Sequence, residues 1–131
     1  MNTRFLMMMS AIVMAIVGIA CSFFPGELLN YLGLILDPGK ILVLIVQILG
    51  ALYLGFAILN WMAKGNLIGG IYSKPVALGN FMHFLISALA LIKYFMAHPD
   101  QEIIIIPAVI YAALAFCFGI VTFGSPVLKG R

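Results

Sequence analysis

On a helix turning about 100° per residue, Gly79, Asn80, His83, Ser87, Ala90 and Tyr94 fall within an arc of about 100°. Their neighbours are Phe, Leu, Ile and Met, so the arc is a polar stripe on an apolar rod. A broader stripe of about 140° carries Gln47, Gly50, Tyr53, Ala57 and Asn60, with Lys64 just beyond. Imidazole, phenol, amide and hydroxyl groups exchange hydrogen bonds, and His83 alone among these buried candidates changes charge near neutral pH. At 1.5 Å per residue, His83 and Tyr53 each lie about 12 to 14 Å from one common end of their helices, so the two are expected to meet. Tyr111 and Ser87 fall near the middle, Gln47 somewhat further out, and Ser10 at the level of Asn80. Such a ladder either ties helices together or lines a cavity for the polar end of a lipophilic ligand, and the first use is the commoner one. The candidate ligand-binding residues are therefore Tyr53, Asn80, His83, Ser87, Tyr111 and Gln47.

Other chemistries lack their residues. A metal site needs further His, Cys or acidic ligands beside His83, and His98 lies at the opposite end of the same helix. Proton-coupled transport normally places an acid inside a span, and the four long apolar runs hold none. Cys21 and Cys117 differ in depth by about 22 Å at helical rise, which excludes a disulfide between them within one chain. The glycines of 65–70 are not followed by Gly-Lys-Ser/Thr and do not follow a strand, so they are no phosphate loop. Neither a catalytic residue, a cofactor nor a metal is expected.

The elements that position the stripes are four charge-free apolar runs, 5–24, 41–63, 75–92 and 103–123. A helix of about 20 apolar residues crosses a hydrocarbon core of about 30 Å, and four of them use up most of the 131 residues. With 65% hydrophobic and 8% charged residues, the composition lies far from that of soluble domains. Long runs without alternation exclude a transmembrane barrel. The expected fold is all-α, a polytopic membrane protein with one domain over 1–131. Its four transmembrane helices, at about 5–24, 39–63, 75–96 and 102–123, form an antiparallel bundle.

The net charge of +3 is accounted for by topology rather than by a nucleic acid. Arg4, Lys64, Lys74, Lys129 and Arg131 fall on one side; Lys40, Lys93 and the acids Glu27, Asp37, Asp100 and Glu102 fall on the other. The positive-inside bias then puts both termini in the cytoplasm. The run before Cys21 is read as an uncleaved span rather than a lipoprotein signal, because Gly18 stands where Leu is required and Phe23 and Phe24 continue the run.

Helix breaks follow from proline and glycine. The first span should stop at Pro25-Gly26, and 27–37 should lie in the outer interface as a short amphipathic or re-entrant piece. Asp37-Pro38 should cap and start the second span, and Ser73-Lys74-Pro75 the third. The glycine-rich 64–74 link is expected to be the most mobile one. Pro107 is expected in the second turn of the fourth span, where it bends the helix. Small pairs such as Ala51 with Gly55 and Ala115 with Gly119 suit close helix approach.

The segment Gln47-Ile-Leu-Gly-Ala-Leu-Tyr-Leu-Gly-Phe56, after a first helix ending in Phe-Phe-Pro-Gly-Glu-Leu-Leu, resembles small bacterial four-helix membrane proteins of the DoxX-like type. Many members of that group have no assigned activity, so the resemblance carries over no catalytic residue. The chain lacks the membrane-embedded glutamate of small multidrug transporters and the paired cysteines of quinone-linked thiol oxidases. The expectation is a non-catalytic accessory or assembly subunit in the bacterial inner membrane, packed against a larger membrane complex or against itself. The alternative is an intramembrane binder or carrier of a quinone, lipid or sterol-like molecule. A lipid-modifying enzyme, with His83 as acid or base and Tyr53 as its partner, stands third.

Overall fold

Apolar residues without a polar period leave the backbone one way to satisfy its own hydrogen bonds in hydrocarbon, which is the helix. The computed structural model describes residues 2–33, 39–66 and 73–124, and all regular structure among them is helical. Helix α1 covers Thr3–Phe23, α2 Pro25–Tyr31, α3 Lys40–Ala63, α4 Lys74–Ala97 and α5 Ile105–Phe123, with a 3-10 turn at Glu102–Ile104 ahead of α5. Four segments are long and apolar enough to cross a membrane: Thr3–Phe23, Lys40–Ala63, Lys74–Ala97 and Glu102–Phe123. The chain is a multi-pass membrane protein on that ground.

The breaks show how each proline acts. Phe24 leaves the helical region at φ −127° and ψ 42°, and Pro25 opens α2 from its first turn, where its missing N–H costs nothing. Pro25 thus both ends α1 and starts α2, whose Pro25 and Leu29 are buried. Gly33 follows with φ +88°, a left-handed turn that a side chain would resist. Residues 34–38 of the expected interfacial piece lie outside the described residues.

Two expected starts change. Gly39 is the N-cap of α3 and no side chain caps it, so the helix begins at Lys40 rather than at proline; Asp37 and Pro38 lie outside the described residues. Ser73 is the N-cap of α4, but its hydroxyl makes no capping bond. Its carbonyl instead accepts the Ala77 N–H at 3.2 Å. Pro107 falls in the first turn of α5, not the second, because the 3-10 turn delays the helix start. There its missing N–H belongs to a group without an intrahelical partner in any case. Positions 67–72 of the glycine-rich link and the basic Lys129 and Arg131 lie outside the described residues.

The chain falls into two compact units, Met7–Lys64 and Met1–Leu6 with Gly65–Arg131. In the first, α1 presents Met7, Ser10, Met14, Gly18 and Cys21 as a buried face at three- and four-residue steps. Gly18 fits against Leu54, and Gly50 against the Ser22 and Cys21 backbone. Ser10 pairs with Asn60, so rising positions on α1 meet falling positions on α3.

In the second unit α4 and α5 pack along much of their length. Phe84 of α4 is fully buried and stacks on Phe118 of α5 with ring centroids 5.8 Å apart. Phe81 meets Phe123 edge-on at 5.3 Å, and Gly119 leaves room for the Phe81 ring. The α4–α5 corner is closed locally. Tyr94 stacks on His98 at 4.5 Å and donates its hydroxyl to Gln101 Oε1 at 3.2 Å.

Candidate functional site

Of the six residues singled out by spacing, the second unit holds four. Asn80 is fully buried and donates Nδ2 to the Val76 carbonyl of its own helix at 2.9 Å. His83 is half-buried, with its ring 5.1 Å from Phe84 and 6.0 Å from Tyr111. Tyr111 is 5% exposed and meets Phe84 edge-on at 5.3 Å. Ser87 is half-buried on α4. The structure therefore brings His83 and Tyr111 together around Phe84, as an aromatic cluster with a polar edge.

The other two lie on α3 in the first unit, and they part company. Tyr53 is half-buried, whereas Gln47 is exposed. Within its own unit Gln47 is left exposed, although spacing groups it with the interior stripe. Gly50, Ala57, Asn60 and Ala63 are the buried residues of α3, and Gln47 and Asn60 sit at opposite ends of the 140° arc drawn from spacing. One neighbouring helix covers less than such an arc, and the close contact at Gly50 turns the helix toward Asn60. Tyr53, Asn80, His83 and Tyr111 each have interaction partners, as does Asn60.

The buried face of α4 within its unit also departs from the polar stripe. Its buried residues are Ala77, Asn80, Phe84 and Ala88, while Ala90 and Tyr94 are exposed. At 100° per residue this buried face is centred about 90° away from the stripe and shares only Asn80 with it. Ring packing against Tyr111 and Phe118 sets the rotation, since Phe84 gains more contact there than a serine or histidine would.

Spacing missed a polar pair. Asn60 donates Nδ2 to Ser10 Oγ at 3.1 Å and lies 3.6 Å from Met14 Sδ, while the Ser10 hydroxyl donates to the Met7 carbonyl at 3.0 Å. Both residues are fully buried. The signal was present, because Ser10 is the one polar side chain in 5–20 and so needs a partner from elsewhere.

Two apolar grooves lie between helix pairs. One, of about 710 Å³, runs between α4 and α5 over Ala88, Ala115 and Gly119, with Phe81, Phe116 and Phe123 as walls. The other, of about 370 Å³, runs between α1 and α3 over Ala11, Ala15 and Ala57 up to Trp61. None of the six candidate residues lines either groove. Cys21 and Cys117 are both free thiols. Among the described residues no group of three His, Cys, Asp or Glu is placed to hold a metal.

Fold and site together define a helical protein with four candidate membrane spans and, among the described residues, a polar side-chain pair between helices, Ser10 with Asn60. No protein-family model, curated protein or solved structure matches the chain.

Proposed function

We propose that this chain is a non-catalytic accessory or assembly subunit, an antiparallel four-helix bundle of a bacterial inner membrane with both termini in the cytoplasm. It packs against a larger membrane complex through the face of α3 turned away from α1, a reading in keeping with the DoxX-like resemblance and the distribution of basic residues.

The observation that carries the reading is the exposed row Gln47, Ala51 and Gly55, at four-residue steps along α3. Gln47 lies about 10 Å into the helix at 1.5 Å per residue, so its amide sits within the apolar span. A lipid tail offers that amide no hydrogen bond, whereas another transmembrane helix does. A Cβ at Gly55 would meet nothing within 4 Å, so a partner backbone can approach there closely. Only 11% of the most apolar window of α3 is buried, against 39% for α1. The competing reading, a carrier of a lipophilic molecule, draws on the α4–α5 groove. Its polar candidates do not line that groove, which leaves a ligand without an orienting group.

The test is native mass spectrometry of the protein extracted from its own membrane in mild detergent. The expected result is a co-migrating membrane protein that is lost in Gln47→Leu and in Gly55→Leu. A chain that runs as a stable monomer under those conditions refutes the proposal.

A further inference from the structure

The groove between α1 and α3 ends at the only tryptophan of the chain, whose ring carries a lysine ammonium, and that combination points to a particular occupant. Ala11, Ala15 and Ala57 form a shallow floor, and Ile58 and Trp61 rise beside it. Lys64 follows Ala63 at the end of α3, and its Nζ lies 3.1 Å from the centroid of the Trp61 ring. Indole is at home between hydrocarbon and headgroup, with its ring in one and its N–H toward the other.

We propose that this groove seats one acyl chain of an anionic phospholipid whose phosphate pairs with Lys64. The lining favours a hydrocarbon chain. From Leu54 to Trp61 the groove runs about 10 Å at helical rise, and apart from the indole N–H of Trp61 its side chains carry no polar group. The charge selects the headgroup. Among the described residues no carboxylate pairs with Lys64; the one acid of its unit described there, Glu27, lies on α2, beyond the far end of α1. The Trp61 ring takes one face of the ammonium, and the remaining N–H groups stay available to phosphate oxygens. The exposed row Gln47 to Gly55 lies toward the Lys40 end of α3 and the groove toward the Lys64 end, with the two faces centred about 70° apart at 100° per residue.

Trp61 makes the test specific, since all tryptophan fluorescence comes from the groove. The full chain is reconstituted in phosphatidylcholine vesicles containing a graded fraction of phosphatidylglycerol with brominated acyl chains, and in parallel with brominated phosphatidylcholine. Bromine quenches the indole only on contact. One lysine at a membrane surface supports about a fivefold preference for the anionic lipid. The expected result is that preference in the native chain, its loss in Lys64→Gln, its reduction when Ala15→Leu fills the floor, and its retention in Lys40→Gln at the other end of α3. Equal quenching by both lipids overturns the proposal, as does a preference that survives Lys64→Gln or disappears equally in Lys40→Gln. Absence of quenching by either lipid also overturns it, because protein then covers the groove.

Discussion

Two glycines of α3 stand five residues apart in opposite surroundings, and replacing each by alanine separates what the helix does on its two sides. A Cβ built on Gly50 overlaps the Ser22 hydroxyl and lies 2.7 Å from the Ser22 nitrogen and 3.0 Å from the Cys21 carbonyl carbon. Those last two atoms are backbone, so no rotamer relieves the clash. Restoring an ordinary separation of about 3.4 Å requires α1 and α3 to part by about 0.7 Å, and a gap of that size forfeits a quarter to a half of the attraction at each contact it opens. Overpacking of this kind costs about 1–3 kcal/mol, partly offset by the better helix propensity of alanine, about 0.8–1 kcal/mol. A Cβ on Gly55 meets nothing within 4 Å, so Gly55→Ala keeps the propensity gain alone. The two variants should therefore differ by about 1–3 kcal/mol, with Gly50→Ala the less stable. Denaturation in mixed micelles, followed by Trp61 emission, measures the difference. Maleimide labelling of Cys21, 5% exposed beside the clash, should speed up in Gly50→Ala alone. Equal stability of the two variants, with Cys21 equally protected, would refute the contact between α1 and α3 at Gly50.

Three further outcomes follow from the same contacts. A double-mutant cycle of Ser10→Ala with Asn60→Ala should give a coupling of about 0.6 kcal/mol and at most about 1.7, the range measured for hydrogen bonds between membrane helices; zero coupling in the micelle titration argues against the 3.1 Å bond. Phe84→Ala removes a fully buried ring from contact with Tyr111 and Phe118 and should cost about 3–5 kcal/mol, whereas Phe84→Leu should recover much of that. Because Cys21 and Cys117 differ in depth by about 22 Å at helical rise, the purified chain should show no intramolecular disulfide by non-reducing peptide mass analysis, even after mild oxidation.

Span positions were legible in the sequence because charge and proline mark them. Expected limits of 5–24, 39–63, 75–96 and 102–123 compare with Thr3–Phe23, Lys40–Ala63, Lys74–Ala97 and Glu102–Phe123. Which face of each helix turns inward was far less legible. In a soluble helix the polar side marks the solvent, but in a chain that is 65% hydrophobic an aliphatic residue suits lipid and core alike. Polarity then remains as the only periodic signal, and it misleads where packing is better served by rings and small residues. On α4 the fully buried Phe84 outweighs the stripe of His83 and Ser87, which are left half-buried at its edge. On α3 the backbone approach at Gly50 fixes the rotation, and Gln47 is carried outward. Both outcomes depend on the shape of a neighbouring helix, which one helix's periodicity does not contain.

The same logic separates folding from association on α3. Gly50 and Gly55 point about 140° apart at 100° per residue, so no one helix can occupy both. α1 fills the first position, and the second lies in the row with Gln47 and Ala51. A Cβ at Gly55 meets nothing within 4 Å, so Gly55→Leu should leave the micelle unfolding midpoint in place while removing the partner. Gly50→Ala should lower the midpoint first, with any loss of partner following from it. Were Gly55→Leu to unfold the chain as readily as Gly50→Ala, the exposed face would be part of the chain's own packing, and the case for a partner at α3 would fall with it.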